Sequence, residues 1–124
     1  MADILLIEDM SGVQRAITSM LKGFGHSVIA VGDGAQGLDM LKRQRFDLVI
    51  TDMMMPELDG SEVLAQLRAS ANRTPVIAIS GGGAGISADM ALRAAKTTAD
   101  AYLEKPFERA DLQAVVDRLL AKVA

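Results

Sequence analysis

The sequence predicts an α/β fold, (βα)5: a βα unit repeated five times into a doubly wound, five-stranded parallel sheet with helices on both faces. Three observations lead there. Short apolar runs without alternation, Ile4-Leu5-Leu6-Ile7, Leu48-Val49-Ile50-Thr51 and Val76-Ile77-Ala78-Ile79, read as strands buried on both sides. Stretches with apolar residues at helical spacing follow them. The alternation is strict, and the 124 residues carry no linker, low-complexity tract or second core, so residues 1–124 are read as one domain.

Each element has its own signal. The first strand, Ile4 to Ile7, ends in Glu8-Asp9. Ser11 stands where an N-cap is expected, and Val13, Ala16, Ile17, Met20, Leu21 and Phe24 give the first helical stripe, which ends between Gly23 and Gly25. Ser27 to Val31 is a short strand and Gly32-Asp33-Gly34 a turn. Ala35, Leu38 and Leu41 mark a weaker helix that runs out in Lys42-Arg43-Gln44-Arg45. The third strand, Leu48 to Thr51, follows Asp47 and delivers Asp52 at its end; Met53-Met54-Met55-Pro56 then stop regular structure, and Asp59-Gly60 turns into a helix over Ser61 to Ala69 with Val63, Leu64 and Leu67 inward. After the loop Asn72-Arg73-Thr74-Pro75 comes the strand Val76 to Ile79, closed by Ser80. Gly81-Gly82-Gly83-Ala84-Gly85 cannot hold a helix or strand, because glycine loses the most backbone entropy on ordering. Ser87 caps an alanine-rich helix to about Thr97, Ala101-Tyr102-Leu103 is the fifth strand, and Lys105-Pro106 breaks it. Leu112, Val115, Val116, Leu119 and Leu120 form the strongest helical stripe.

Composition narrows the function. Half the residues are hydrophobic, enough for a core without staples. With no cysteine, disulfides, thiol catalysis and zinc–thiolate sites are excluded. A formal charge of −3 and the absence of a basic stripe argue against direct nucleic-acid binding. Glu8-Asp9 interrupts the first apolar run early and no basic region precedes it, so no signal peptide is expected. No run approaches the length of a membrane span, and a cytoplasmic location is the expectation. The eight methionines read first as core filler.

In a parallel sheet the strands open their C-termini on one edge, which is where such folds bind ligands. Alone, Asp52 at a strand tip suits exposed chemistry or a turn cap equally. The full set on that edge decides between them: Glu8 and Asp9 after the first strand, Asp52 after the third, Ser80 after the fourth, Lys105 after the fifth. Three clustered carboxylates repel, which raises a pKa or recruits a cation. A hard divalent ion, Mg²⁺, suits oxygen ligands at this density and, with Lys105, balances their charge. A phosphoryl group at Asp52 would then be held by metal and by Lys105, with Ser80 donating to a remaining oxygen: phosphoryl transfer to a carboxylate nucleophile.

Ile7-Glu8-Asp9, Thr51-Asp52-Met53-Met54-Met55-Pro56 with Asp59-Gly60, Ser80, and Tyr102-Leu103-Glu104-Lys105-Pro106-Phe107, in that order and spacing, resemble the receiver domain of two-component response regulators over essentially the whole chain. The resemblance implies a flavodoxin-like strand order 2-1-3-4-5 and phosphorylation of Asp52 by a histidine kinase or histidine phosphotransfer protein. It further implies Mg²⁺ held by Glu8, Asp9, Asp52 and the backbone carbonyl of Met54, Lys105 on the phosphoryl group, Ser80 and Tyr102 as a switch pair, and a cis Lys105-Pro106 bond. The chain departs from the family pattern in its run of glycines after Ser80, in a longer span from Ser80 to Lys105, and in Thr98 where a glycine often ends the preceding helix. Met54 and Gly82, two residues after Asp52 and Ser80, offer no side-chain hydrogen bond to an attacking water, so slow self-dephosphorylation is expected.

A signalling switch is thus the first reading, not an enzyme beyond its own aspartyl phosphorylation and dephosphorylation. With no room for an output domain in 124 residues, it would act through an unknown downstream protein or pass the phosphoryl group on, as a monomer or weak phosphorylation-dependent dimer. The expected donor surface is the first helix near Ser11 to Arg15 with Pro106-Phe107; the expected output surface joins the Ser87–Thr97 helix to the last one. An interaction module that is never phosphorylated is the alternative, disfavoured by the intact acid, Ser and Lys set. A metal-dependent phosphatase would need a second acid near Asp52, where Met53 and Met54 stand. The glycine run lacks the Lys-Ser/Thr ending of a nucleotide loop, Glu8-Asp9 would repel a flavin phosphate, and His26, after the Gly25 turn, is read as a loop residue rather than a catalytic one.

Overall fold

The structure, a computed structural model, describes residues 1–52, 60–70, 73–81 and 99–123. Its elements are β1 (Asp3–Ile7), α1 (Ser11–Gly23), β2 (Ser27–Val31), α2 (Gly34–Arg43), β3 (Leu48–Asp52), α3 (Gly60–Ala69), β4 (Val76–Gly81), β5 (Ala101–Lys105) and a last described helix, α4 (Arg109–Val123). The helix expected over Ser87 to Thr97, the glycines from Gly82 to Gly85 and the turn before Gly60 lie outside the described residues. Gly81, expected to be unable to hold a strand, is instead the last residue of β4, where pairing with Lys105 of β5 offsets its entropy cost.

The five strands form one parallel sheet in the order β2-β1-β3-β4-β5, as the resemblance implied. Successive side chains on a strand point to opposite faces, and both faces are packed. Ile4, Leu6, Leu48, Ile50, Ile77 and Ile79 meet Ile17 and Leu21 of α1 and Leu112, Val116 and Leu119 of α4. Leu5, Ile7, Val49, Val76 and Ala78 meet Val63, Leu64 and Leu67 of α3. Each fully buried Leu or Ile contributes roughly 1.5–3 kcal/mol, which is why the unalternating runs form the centre. β2 is an edge strand and is only partly covered.

Local signals set most boundaries. Asp33 caps α2: its Oδ1 accepts from the Gln36 N–H at 2.8 Å, and Gln36 Oε1 accepts from the Gly32 N–H at 3.0 Å. Asp111 in the first turn of α4 accepts from the Glu108 N–H at 3.0 Å. Gly25 ends the first helical segment with φ +95°, a conformation that favours glycine. Ser11 is not the cap of α1. It is the first helical residue, the N-cap is Met10 in extended conformation, and no side chain caps the end. Ala16 and Ala35, expected on inward stripes, are exposed. Gly37 instead is the close approach of α2 to the sheet: a Cβ there would lie 2.8 Å from Ile7 Cγ1. β5 runs two residues further than its apolar stretch, so Lys105 is its last residue rather than the one after it. The Lys105-Pro106 bond is cis, as the resemblance implied.

Candidate phosphoacceptor and metal site

The strand register brings the predicted residues together. β1 and β3 are neighbours, with Ile7 opposite Thr51, so Glu8 and Asp52 follow one another at the same edge. Asp52 pairs with Ile79, and Lys105 pairs with Gly81. Side-chain alternation then puts Glu8, Asp52 and Lys105 on the face covered by α1 and α4, because each is an even number of residues from a strand residue packed there.

Lys105 Nζ lies 2.7 Å from Glu8 Oε1 and 3.0 Å from Asp52 Oδ2. Glu8 is 1% and Asp52 4% exposed, and the Lys105 side chain is 18% exposed. One ammonium therefore serves two buried carboxylates. Burial pushes Glu8 up to about 8 from an ordinary 4.5; Asp52 pushes the same way, and Lys105 opposes both. Burial lowers the Lys105 pKa, but its bonds and charge interactions with Glu8 and Asp52 outweigh that and leave it above 10.5. The single cation keeps its proton, and the more deeply buried acid resists losing its own.

Asp9 is exposed beside them. One carboxylate oxygen from each of Glu8, Asp9 and Asp52 lies within 4.8 Å of the others. Glu8 Oε2 is buried and has no hydrogen-bond partner among the described residues. An orphaned carboxylate oxygen in a cluster of hard oxygen donors fits a divalent ion such as Mg²⁺. The fourth expected ligand, the Met54 carbonyl, lies outside the described residues. Ser80 is in β4, opposite Glu104, at this same edge; its side chain lies outside the described set. Tyr102 pairs with Ala78 and is 46% exposed, so it is not a core aromatic. His26 is structural: its Nδ1 accepts from the Ala2 N–H at 3.1 Å, tying the start of β1 to the entry of β2.

The sequence reading missed Gln14. Its side-chain amide donates to the Glu8 carbonyl at 3.0 Å and to the Val31 carbonyl at 3.2 Å, and the Glu8 N–H donates to the same Val31 carbonyl at 3.0 Å. These bonds hold the β1–α1 loop against the end of β2 and fix where Glu8 sits. The sequence held no signal for it, since Gln14 stands beside Arg15 and one turn before Thr18, as a solvated helix residue would.

A buried Asp–Glu–Lys cluster at the C-terminal edge of a 2-1-3-4-5 sheet defines a class of acidic-pocket α/β domains, and comparison with known proteins identifies the family. Residues 4–117 match the response regulator receiver domain, and the chain belongs to that family. It is 34% identical over 119 residues to the transcriptional regulatory protein ZraR of Escherichia coli, covering 96% of this chain and 26% of ZraR. It is also 34% identical over 119 residues to the cell cycle response regulator CtrA of Brucella ovis, covering 96% of this chain and 50% of CtrA. The chain thus spans half or less of the length of these relatives. Among solved structures, the receiver domain of the sensor histidine kinase PA1611 from Pseudomonas aeruginosa, described with a magnesium ion coordinated in its active site cleft, superimposes with TM-score 0.87 at 35% identity, covering 97% of this chain and 98% of that one. A response regulator receiver domain protein from Clostridium thermocellum gives TM-score 0.87 at 31% identity, covering 98% and 96%. No helix among the described residues is long and apolar enough to cross a membrane.

Proposed function

We propose that this receiver domain is a phosphorylation-dependent signalling switch, taking a phosphoryl group onto Asp52 from a histidine kinase or histidine phosphotransfer protein. The observation that carries this is the buried triad: Lys105 bonded at once to Glu8 and Asp52. Two carboxylates buried around a single ammonium are costly to bury, and a site for an incoming oxyanion with its cation explains their retention.

In the reaction an Asp52 carboxylate oxygen attacks the phosphorus of a phosphohistidine. The P–O bond forms as the P–N bond breaks, and the imidazole keeps the electron pair and takes up a proton. Lys105 contributes its positive charge to the phosphoryl oxygens, so it exchanges at least one of its present carboxylate bonds for one to the new group. Glu8 must be ionised to join a metal site, and Gln14 keeps its backbone in place. Glu8, Asp9 and Asp52, with the Met54 carbonyl, would hold a divalent ion, which when bound would supply the remaining charge neutralisation. Ser80 and Tyr102 read the new group. Tyr102 starts from an exposed position on β5, which leaves room for it to turn inward.

Donor docking is assigned to an apolar groove of about 350 Å³ between α1 and the segment after β5, lined by Val13, Ala16, Met20, Pro106 and Phe107 and reaching Lys105. A helical phosphodonor seated there carries its histidine to the Asp52 edge. The response then passes to a downstream protein or along a relay, in the cytoplasm, from a monomer or weak dimer.

The test is incubation with Mg²⁺ and acetyl phosphate, read by intact mass. One added phosphoryl group, absent in Asp52→Asn, is the expected result. No adduct and no Mg²⁺ binding would leave an interaction module, and donor turnover far above one equivalent without an adduct would mean a phosphatase.

A further inference from the structure

The opposite edge of the sheet, where the strands begin, holds a second feature. A cavity of about 370 Å³ lies between the end of α2, the start of β3 and the approach to β4, a volume in the range of small-molecule sites. Phe46 and Pro75, both buried, give it an apolar wall, and Arg45 and Arg73 stand exposed on its rim.

The polar groups there are unevenly satisfied. The Pro75 carbonyl accepts from the Val49 N–H at 2.9 Å, and the Thr74 carbonyl accepts from Arg68 Nη1 at 3.1 Å. Asp47, the one acid among the described lining residues, has its Oδ2 on the Asp3 N–H at 2.8 Å. The nearby cations outside the lining are also engaged: Arg43 pairs with Asp39 at 2.9 Å and Arg68 with Asp100 at 2.9 Å. Arg45 and Arg73 are different, since among the described residues neither makes an ion pair or hydrogen bond. Nor are they needed at helix ends. Lys42, Arg43 and Arg68 already occupy the last turns of α2 and α3, and Arg45 and Arg73 lie beyond those turns. Two unspent guanidiniums therefore face a partly apolar cavity on a chain whose formal charge is −3.

We propose that this cavity binds a small phosphomonoester with an apolar body. The two guanidiniums match the double charge and the oxygen geometry of the phosphate, and Phe46 and Pro75 take the apolar body. The site is independent of phosphorylation at Asp52, which lies at the other end of β3.

The probe is phenyl phosphate, titrated without Mg²⁺ into ¹⁵N-labelled protein, with inorganic phosphate as its comparison. Saturable shifts of the Arg45, Phe46 and Arg73 amides are expected, with phenyl phosphate binding several-fold tighter than inorganic phosphate. Arg45→Gln with Arg73→Gln weakens binding about ten-fold or more, whereas Lys42→Gln, outside the cavity, changes it less than about two-fold. Both arginines are exposed, so the double variant keeps the wild-type melting temperature. Shifts that stay linear with concentration, shifts confined to residues near Asp52, equal affinity for the two phosphates, or undiminished binding by the double variant would each overturn the proposal.

Discussion

Glu8 gives the site a pH signature that can be measured on folding. In the folded protein it holds its proton up to about pH 8, against an ordinary 4.5. Between those values the folded state binds a proton that the unfolded chain has released, so unfolding releases it and stability falls as pH rises through the window. Lys105 stays charged throughout, because its own pKa lies above 10.5. The interval of about 3.5 pH units, at roughly 1.4 kcal/mol each, sets an upper bound of about 5 kcal/mol on the loss; coupling to Asp52 and Lys105 reduces it to roughly 2–4 kcal/mol. Urea unfolding in EDTA at half-unit steps from pH 5 to pH 8.5 measures it. Glu8→Gln keeps the shape and removes the titration, so its curve is flatter and it is the more stable protein at pH 8. Wild-type stability that is level or rising across the window, or a Glu8→Gln curve parallel to it, would refute the assignment of a proton to buried Glu8.

Three further outcomes follow from the same structure. Mg²⁺ at ten times its dissociation constant should add about 1.4 kcal/mol to stability, with the constant itself tightening from pH 6 to pH 8 as binding displaces the Glu8 proton; calorimetry in two buffers of different ionisation enthalpy checks the release. Gly37→Ala drives a methyl group into Ile7 and should cost about 1–3 kcal/mol in denaturant unfolding, part of which Ile7→Val recovers; an unchanged midpoint would contradict the close approach of α2 to β1. Once phosphorylated with acetyl phosphate and desalted, the protein should hold its phosphoryl group for minutes or longer, because neither Met54 nor Gly82 can orient water; decay within seconds, followed by intact mass, would refute this.

Strand counting placed the site because parallel topology converts sequence position into spatial position. Glu8, Asp9, Asp52 and Lys105 needed only their distance from an apolar run to be assigned to one edge. The face was equally countable: Glu8 continues Ile4 and Leu6, and Asp52 continues Leu48 and Ile50. What could not be read were interactions that depend on a partner far along the chain. Gly37 looks like a weak point in a helix until Ile7 is seen to fill its space. Gln14 looks like a solvated helix residue until the Val31 carbonyl is found above it. Ser11 has the hydroxyl of a cap but stands one residue inside α1: the backbone enters the helix from an extended Met10 whose carbonyl accepts the first bond, from Gln14 N–H at 2.8 Å. Residue type identifies a cap only when the side chain makes its bond, and here none does.

The position of Lys105 also explains why the cation is a lysine. It sits on β5, two strands from β3 and three from β1. At about 4.8 Å per strand, its backbone is roughly 10 Å from that of Asp52 and farther from that of Glu8. Only a long side chain spans that distance across β4, which leaves Lys and Arg. The two differ in what they can do next. The ammonium is a compact charge with three rotating donors, so it can leave one carboxylate for a phosphoryl oxygen with little rearrangement of its stem. A guanidinium would lock its planar fork onto the two acids. Lys105→Arg should therefore keep metal-free stability within about 1 kcal/mol of wild type, since the charge pairing survives. It should also slow phosphorylation by acetyl phosphate about ten-fold or more, since the pairing no longer gives way. An Arg variant that phosphorylates at the wild-type rate would show that Lys105 acts through net charge alone and that its exchange between carboxylate and phosphoryl oxygens has no part in the reaction.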